Sequence, residues 1–316
     1  MDTLSRILDS LHFNGTFYYT TNFHSPWSVA VPKYKNVARF HYVSQGTLWV
    51  RIEGVETAQR LSTGDFIVIP HGLPHIISDS SDRAPIALDE AFLQQSYDGQ
   101  GVFHIGDDIS PHDTQLVCGH FEFSEAFLHP LITHLPSHII KRESEGLDFS
   151  WLRDTLRFLS HTAITQHDGS SAIIKRLSEV IFIQVVRFWN QNGDVNKGFI
   201  AALNDRNLSN GLKAFHENYA DEWTVEKLAR ESSMSRSLFS ERFKQYLDLS
   251  PMQYVTNWRM QSARQMLADS NLSLDGIARE VGYESAAAFS KAFKRLFSQN
   301  PGEFRRLASE FTEDLG

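Results

Sequence analysis

Setting the C-terminal third of the chain against itself fifty positions apart pairs Ser235 with Ser285, Phe239 with Phe289, Phe243 with Phe293 and Lys244 with Lys294. Pro251 then meets Pro301 and Tyr254 meets Phe304, while upstream Leu228-Ala229 meets Ile277-Ala278 at an offset of 49. A repeat of this kind marks two copies of one supersecondary unit. Each copy reads as a short helix, a tight turn and a second helix opened by a Ser N-cap, which is a helix-turn-helix pattern. Gly282 supplies the left-handed residue that ends the first helix of the second copy. Between the copies, Ser250-Pro251 with Gln253 makes an N-cap, a Pro at the first helical position and a capping box, so a long helix runs from there to about Asp269. Leu238, Phe239, Phe243 and Tyr246 fall on one helical face, as do Ala288, Phe289, Phe293 and Leu296, and these faces are expected in the core.

The opposite faces carry short polar, small and basic side chains. They are Arg236, Ser237, Ser240, Glu241 and Lys244 in one copy, and Ala286, Ala287, Ser290, Lys291 and Lys294 in the other. Such residues suit a major groove. Two recognition helices about 34 Å apart enter successive turns on one side of a duplex. Charge agrees by segment although not in total. The chain carries 30 basic and 38 acidic side chains, a net −8. Residues 1–204 hold 15 and 22, residues 205–308 hold 15 and 13, and the last eight supply the remaining −3. Opposite balances fit one part facing a polyanion and one part not.

With those residues in view, the region 207–308 resembles the DNA-binding domain of the AraC/XylS family of transcription regulators. Ile277-Ala278-Arg279-Glu280-Val281-Gly282-Tyr283, Phe289-Ser290-Lys291-Ala292-Phe293-Lys294-Arg295 and Pro301-Gly302-Glu303-Phe304-Arg305 follow its signature. Ser298 and Asn300 depart from it where Gly and then Ser or Thr are usual, which predicts a slightly strained turn. The resemblance places base contacts at Ser237, Ser240, Glu241, Ala286, Ala287, Ser290 and Lys291. Glu241 can accept from a cytosine amine and the alanines can meet thymine methyls. Arg236, Lys244, Arg259, Lys294 and Arg295 are expected on phosphates, where they position without specifying. The resemblance also implies promoter DNA and RNA polymerase as partners, and activation as the commoner mode.

Upstream, Phe17 to His138 is rich in Phe, Val, Ile and Trp with frequent turn residues, a β region. Strands are expected at Phe40 to Val43, Thr47 to Ile52, Asp65 to Ile69 and Gln115 to Phe123. So many short strands favour a sandwich or barrel. Asp79 to Asp113 reads as a long, partly ordered acidic excursion. From Phe149 the period turns helical, through Leu152, Leu156 and Leu159 and then Ile173, Val180, Ile181 and Val186, with a break at Gln166-His167-Asp168-Gly169. The second of these helices is apolar around much of its circumference, which suits a homodimer interface or a helix packed between the β region and its own partner. The expected organisation is α+β and multidomain: a cupin-like β-barrel sensor domain at 1–145, a dimerisation hairpin at 146–192, a linker at 193–206, the all-α double helix-turn-helix at 207–308 and an acidic tail at 309–316.

The barrel expectation rests on resemblance. Gly64-Asp65-Phe66-Ile67-Val68-Ile69-Pro70-His71-Gly72-Leu73-Pro74-His75 is similar to the second cupin motif, with Asp79 for the usual closing Asn. The first motif, with its paired histidines, is missing. Pro32, Lys33, Tyr34, Lys35 and Arg39 stand in its place, so a three-histidine iron or manganese centre and cupin enzyme chemistry lose their support. His41, His75, Cys118 and His120 remain as a candidate zinc or sensor set, since zinc takes thiolate and imidazole. Their plainer reading is a buried small hydrophobe and hydrogen-bonded core histidines. Met1 to Leu8, Phe40 to Val43 and Val117 to His120 resemble the branch of the family that includes regulators responding to reactive chlorine species. One cysteine in 316 residues excludes an intrachain disulfide switch. Met1 to Leu11 reads as an amphipathic helix and not as a signal peptide, and the longest apolar run, Val180 to Phe188, is too short to span a membrane, so a cytoplasmic location is expected. The competing classes are a cupin-type enzyme, which leaves the repeat unexplained, and a constitutive DNA-binding protein with a vestigial barrel.

Overall fold

The computed structural model describes residues 2–11, 13–94, 102–106, 113–123, 129–145, 150–165, 167–193 and 197–313. Gln166 of the predicted break, parts of the 79–113 excursion and of the linker, and the end of the acidic tail lie outside them. In chain order the strands are β1 (Phe13–Phe23), β2 (Ser28–Val31), β3 (Val37–Gln45), β4 (Thr47–Ile52), β5 (Gln59–Ser62), β6 (Phe66–Ile69), β7 (His75–Ser78), β8 (Ile86–Ala87), β9 (Val102–Ile105), β10 (Thr114–Phe123) and β11 (Ile139–Lys141). The helices are α1 (Thr3–Ser10), α2 (Leu88–Gln94), α3 (Pro130–Thr133), α4 (Ser150–Thr165), α5 (Ser170–Asn192), α6 (Phe199–Asn204), α7 (Arg206–Glu217), α8 (Val225–Glu231), α9 (Arg236–Leu247), α10 (Pro251–Asp269), α11 (Leu274–Glu280), α12 (Ala286–Phe297) and α13 (Pro301–Glu313).

Contacts group the chain into two units, and not along the linear boundaries expected. One unit is 12–125 with 135–193. The other joins 1–11 and 126–134 to 194–316. The reason is local. The apolar side of α1, with Ile7 and Leu8 buried, packs on α7. His129, which caps α3, donates from Nε2 to the Tyr254 hydroxyl at 3.0 Å.

The β unit is two sheets and not the closed barrel expected. A six-stranded sheet runs β11-β6-β3-β10-β1-β9, and a five-stranded sheet runs β5-β4-β7-β2-β8. Phe23, Val43, Ile67 and Leu116 of the first share a core with Val29, Leu48, Val50, Leu61 and Ile77 of the second. β3 is buried on both faces from Val37 to Val43. Its second face, with Phe40 stacked on Phe121, is covered by the α4–α5 hairpin, where the Phe182 ring lies 5.2 Å from Phe121 and 5.3 Å from Phe123. Within the motif at 64–75, Gly72 has φ +57°, and a Cβ there would collide with the Tyr34 carbonyl, so only glycine fits. Within the excursion the described residues contribute β8, α2 and β9.

The helical unit carries the repeat into three dimensions. Thr224 and Ser273 cap α8 and α11, and Ser235 and Ser285 cap α9 and α12. Ser250 opens the 19-residue α10 with the full capping box. Gly282 ends α11 at φ +75°, with the Tyr283 amide donating to the Ala278 carbonyl at 2.7 Å. Asp248 and Ser298, fifty apart, both end their helices in the left-handed region, at φ +56° and +57°. Ser298 stands where the family signature has Gly, and a side chain there strains the backbone. Ser298→Gly is expected to stabilise the helical unit by roughly 0.5–1 kcal/mol, read as a raised thermal midpoint. An unchanged midpoint would show that Ser298 costs nothing in this turn.

Candidate functional site

The repeat builds the first candidate surface. In α9, Phe239, Phe243 and Leu247 are buried, which turns Arg236, Ser237, Glu241 and Lys244 outward with Ser240 at the margin. In α12, Phe289, Ala292 and Phe293 are buried, which exposes Ala287, Lys291, Lys294 and Arg295, with Ala286 and Ser290 half-buried. Four of the residues expected on phosphates therefore stand in solvent, although Arg236 is paired with Glu226 at 2.8 Å. Arg259 does not join them. Its half-buried guanidinium donates to the carbonyls of Tyr219 at 2.9 Å and Gly282 at 3.1 Å, and to that of Asp221. It is a staple between α10 and two turns, and burial lowers its pKa. Leu238 and Ala288 correct the core expectation in the other direction, because both are exposed, Leu238 by 44%. One helical turn has room for about two apolar positions facing the core, and Phe239 and Phe243 fill them.

The second candidate is inside the β unit. β10 and β3 pair Cys118 directly with His41 and His120 with Arg39. His75 arrives from β7 in the opposing sheet. The Cys118 Sγ lies 3.1 Å from His41 Nδ1, His41 Nε2 lies 2.9 Å from His75 Nε2, and His75 Nδ1 lies 2.9 Å from the Leu73 carbonyl. The carbonyl can only accept, so His75 donates from Nδ1 and, when neutral, accepts at Nε2. His41 then donates from Nε2 and accepts at Nδ1, and the thiol donates to it. One run of three donors in one direction satisfies every group without any charge.

Burial enforces that state. The His41 pKa lies well below the usual imidazole value, chiefly through desolvation, with His75 and Arg39 adding to it. Desolvation takes His75 down to about 4 against the lesser opposing effect of its Leu73 bond, and pushes the Cys118 thiol up to about 12. Cys118 is thus held as a neutral thiol, the form that reacts slowly with oxidants. His41 aims opposite ring nitrogens at Cys118 and His75, so in this arrangement one ion does not meet all three side chains. Among the described residues no three His, Cys, Asp or Glu side chains are grouped to hold a metal. His120 is buried beside the relay's strand pair and stands outside the relay, with desolvation taking its pKa down to about 4.

A double helix-turn-helix joined to a two-sheet cupin-like domain defines the class: a DNA-binding transcription regulator with a separate N-terminal domain. Residues 2–191 match the family described as Cupin, and residues 228–307 match that described as Helix-turn-helix domain. The HTH-type transcriptional regulator AlkR of Acinetobacter baylyi is 31% identical over 310 residues, covering 97% of this chain and 99% of its own. The HTH-type transcriptional regulator MtrA of Neisseria gonorrhoeae is 25% identical over 97% of this chain and 98% of its own. The RCS-specific HTH-type transcriptional activator RclR of Escherichia coli is 26% identical over 96% and 97%. The chain belongs to the AraC-like transcriptional regulators that carry an N-terminal cupin domain. No helix among the described residues is long and apolar enough to cross a membrane.

The two surfaces respond to different tests. Glu241→Ala is expected to change which sequences are bound, whereas Lys294→Ala weakens binding to all sequences and flattens its salt dependence. Titrations of both variants against a panel of duplexes at several salt concentrations check this, and parallel losses would refute the division. In the β unit the test is pH. His75 titrates near 4 in the folded β unit and near 6.5 unfolded, so below pH 6.5 the unfolded chain takes up a proton that the native one refuses. The stabilisation is full above about pH 6.5 and is lost as pH falls towards 4. His75 alone contributes on the order of 2 kcal/mol of that loss by about pH 5. Denaturant melts of wild type and His75→Gln between about pH 7 and 5 should show a shallower decline in the variant, and identical slopes would remove His75 as the cause.

Proposed function

We propose that this protein is a homodimeric promoter-binding regulator, most simply an activator in the cytoplasm, whose cupin-like domain converts a small-molecule, metal or oxidant signal into altered promoter binding. The observation that carries the DNA-reading part is the pair of equivalent outward faces on α9 and α12, neutral to basic and free of bulky aromatics. Recognition by RNA polymerase rests on family membership alone.

Support for signalling comes from the relay. Three polar side chains in a hydrophobic core stabilise little that apolar residues of the same volume would not, so their presence there favours a role in response over one in packing. As found, the relay is neutral and closed, so the signal must open the core before Cys118 can react. Support for dimerisation comes from Phe158 on α4 and from Ile173 and Val180 on α5, all exposed large apolar residues on the hairpin that the β unit leaves uncovered. The second reading, a helix held between two layers of its own domain, accounts for Ile181, Phe182 and Val186, which are buried against the sheet, but not for those three.

The test uses the full chain in cells. Chromatin precipitation should recover a small set of promoters whose transcripts change when the gene is removed. Val180→Glu combined with Phe158→Glu should sediment as a monomer and lose about tenfold or more of that occupancy. A variant that remains dimeric would overturn the hairpin interface, and occupancy without transcript changes would overturn regulation.

A further inference from the structure

We infer that Leu238 on α9 and Ala288 on α12 are specificity residues that read thymine C5-methyl groups in the two half-sites. The inference rests on the DNA-reading function proposed above and extends it to a pair of residues whose spacing alone placed them in the core. Leu238 follows the N-cap Ser235 by three residues, and its amide donates to the Ser235 hydroxyl; Ala288 stands in the same relation to Ser285. Both therefore sit in the first turn of their helices, the part of a recognition helix that meets base edges.

The core does not need them. Phe239 and Phe243 in one copy, and Phe289 and Phe293 in the other, are fully or almost fully buried and complete the packing. A single exposed leucine is ordinary on a protein surface. Here the equivalent position in both copies is apolar and exposed, on helices whose other outward residues are hydroxyls, charges, the Gln245 amide and methyls. Neither side chain can donate or accept a hydrogen bond. The one apolar feature on the edge of a base pair in the major groove is the thymine methyl, so an apolar side chain in the first turn selects T·A over the other pairs and leaves an amine or carbonyl edge unpaired where the base is wrong. Leu238 reaches further than Ala288, so the first half-site is expected to show the stronger methyl dependence. Glu241, one turn beyond Leu238, faces outward on the same side of α9 and adds acceptance from a cytosine amine.

The experiment takes the full-length protein, selects preferred duplexes from a random-sequence pool, and replaces each thymine of the selected site by deoxyuridine in turn, which removes only the methyl. Affinity is read by fluorescence anisotropy at fixed salt. The expected result is one thymine in the first half-site whose replacement weakens binding by about fourfold, the value for one methyl-sized apolar contact, and one in the second whose replacement weakens it by about twofold. In Leu238→Ala the penalty in the first half-site should shrink to about that of the second, which is unchanged. Ala288→Gly should remove the second penalty and leave the first. Leu238 is exposed, and a far-ultraviolet circular dichroism spectrum and melting midpoint equal to wild type establish that its variant is folded. Deoxyuridine tolerated at every position, or the same penalty in wild type and Leu238→Ala, overturns the inference while leaving DNA recognition intact. A pool that yields no enriched duplex overturns the DNA-reading function, and the inference with it.

Discussion

The β unit depends on one burial requirement: the six-stranded sheet is apolar on both faces, and neither can be left in water. Phe40, Phe66, Phe121 and Phe123 on one side and Val43, Ile67, Leu116 and Cys118 on the other are all buried. At roughly 25 cal/mol per Å² of apolar area, exposing either face would cost more than a domain's whole margin of stability. The five-stranded sheet covers one face and the α4–α5 hairpin the other. A closed barrel would satisfy the first demand and not the second, which is why the hairpin belongs to this unit and is not an appendage to it. The hairpin has its own inner stripe committed to the sheet, so whatever else it binds must use its outer residues.

That same dry core fixes the chemistry of its polar occupants. Two imidazoles and a thiol that would titrate readily in water are held neutral in a single chain of donors, because an isolated charge there costs several kcal/mol and their neighbours along the chain are one another and a carbonyl. The arrangement resembles a nucleophile with a base and an orienting partner, yet the thiol's pKa is pushed up and not down, so the geometry of an activated cysteine is present without its protonation state. The relay also ties the two sheets together, His41 from one and His75 from the other, so any event that separates this pair changes the packing of the whole sandwich.

Much of this is legible in the chain itself. The fifty-residue repeat locates both helix-turn-helix units, their Ser caps and the capping box at Ser250, because caps and turns are dictated by neighbours within four residues. The pairing of His41 and Cys118 is visible there only as two candidate strands, since register is settled by contacts 77 residues apart and not by local pattern. Leu238 escapes sequence reasoning for a related reason: a leucine next to Phe239 fits a core stripe by period, and which of several apolar positions the core takes depends on the volume already filled by the aromatic rings. Arg259 escapes it because a basic residue near a DNA-binding face looks like a phosphate contact until three carbonyls converge on it.

The discontinuous division of the chain carries the last step. Segment 129–134 belongs to the helical unit, yet it lies in sequence between β10 and β11 of the β unit. It is fastened at both ends: His129 to Tyr254, which His216 also meets at 2.8 Å, and His134 to Asp248 at 3.1 Å, an aspartate that Lys197 shares at 3.0 Å. Tyr254 belongs to α10, the helix that joins the two helix-turn-helix units, and Asp248 ends α9. β10 is the strand that carries Cys118. A covalent path of eleven residues thus leads from the relay's cysteine to a histidine bonded to the helix that sets the spacing of the two recognition helices. The fastenings are hydrogen bonds within the helical unit worth about 1 kcal/mol each, so this segment is held to α10 and to the end of α9 although both neighbouring strands belong to the β unit.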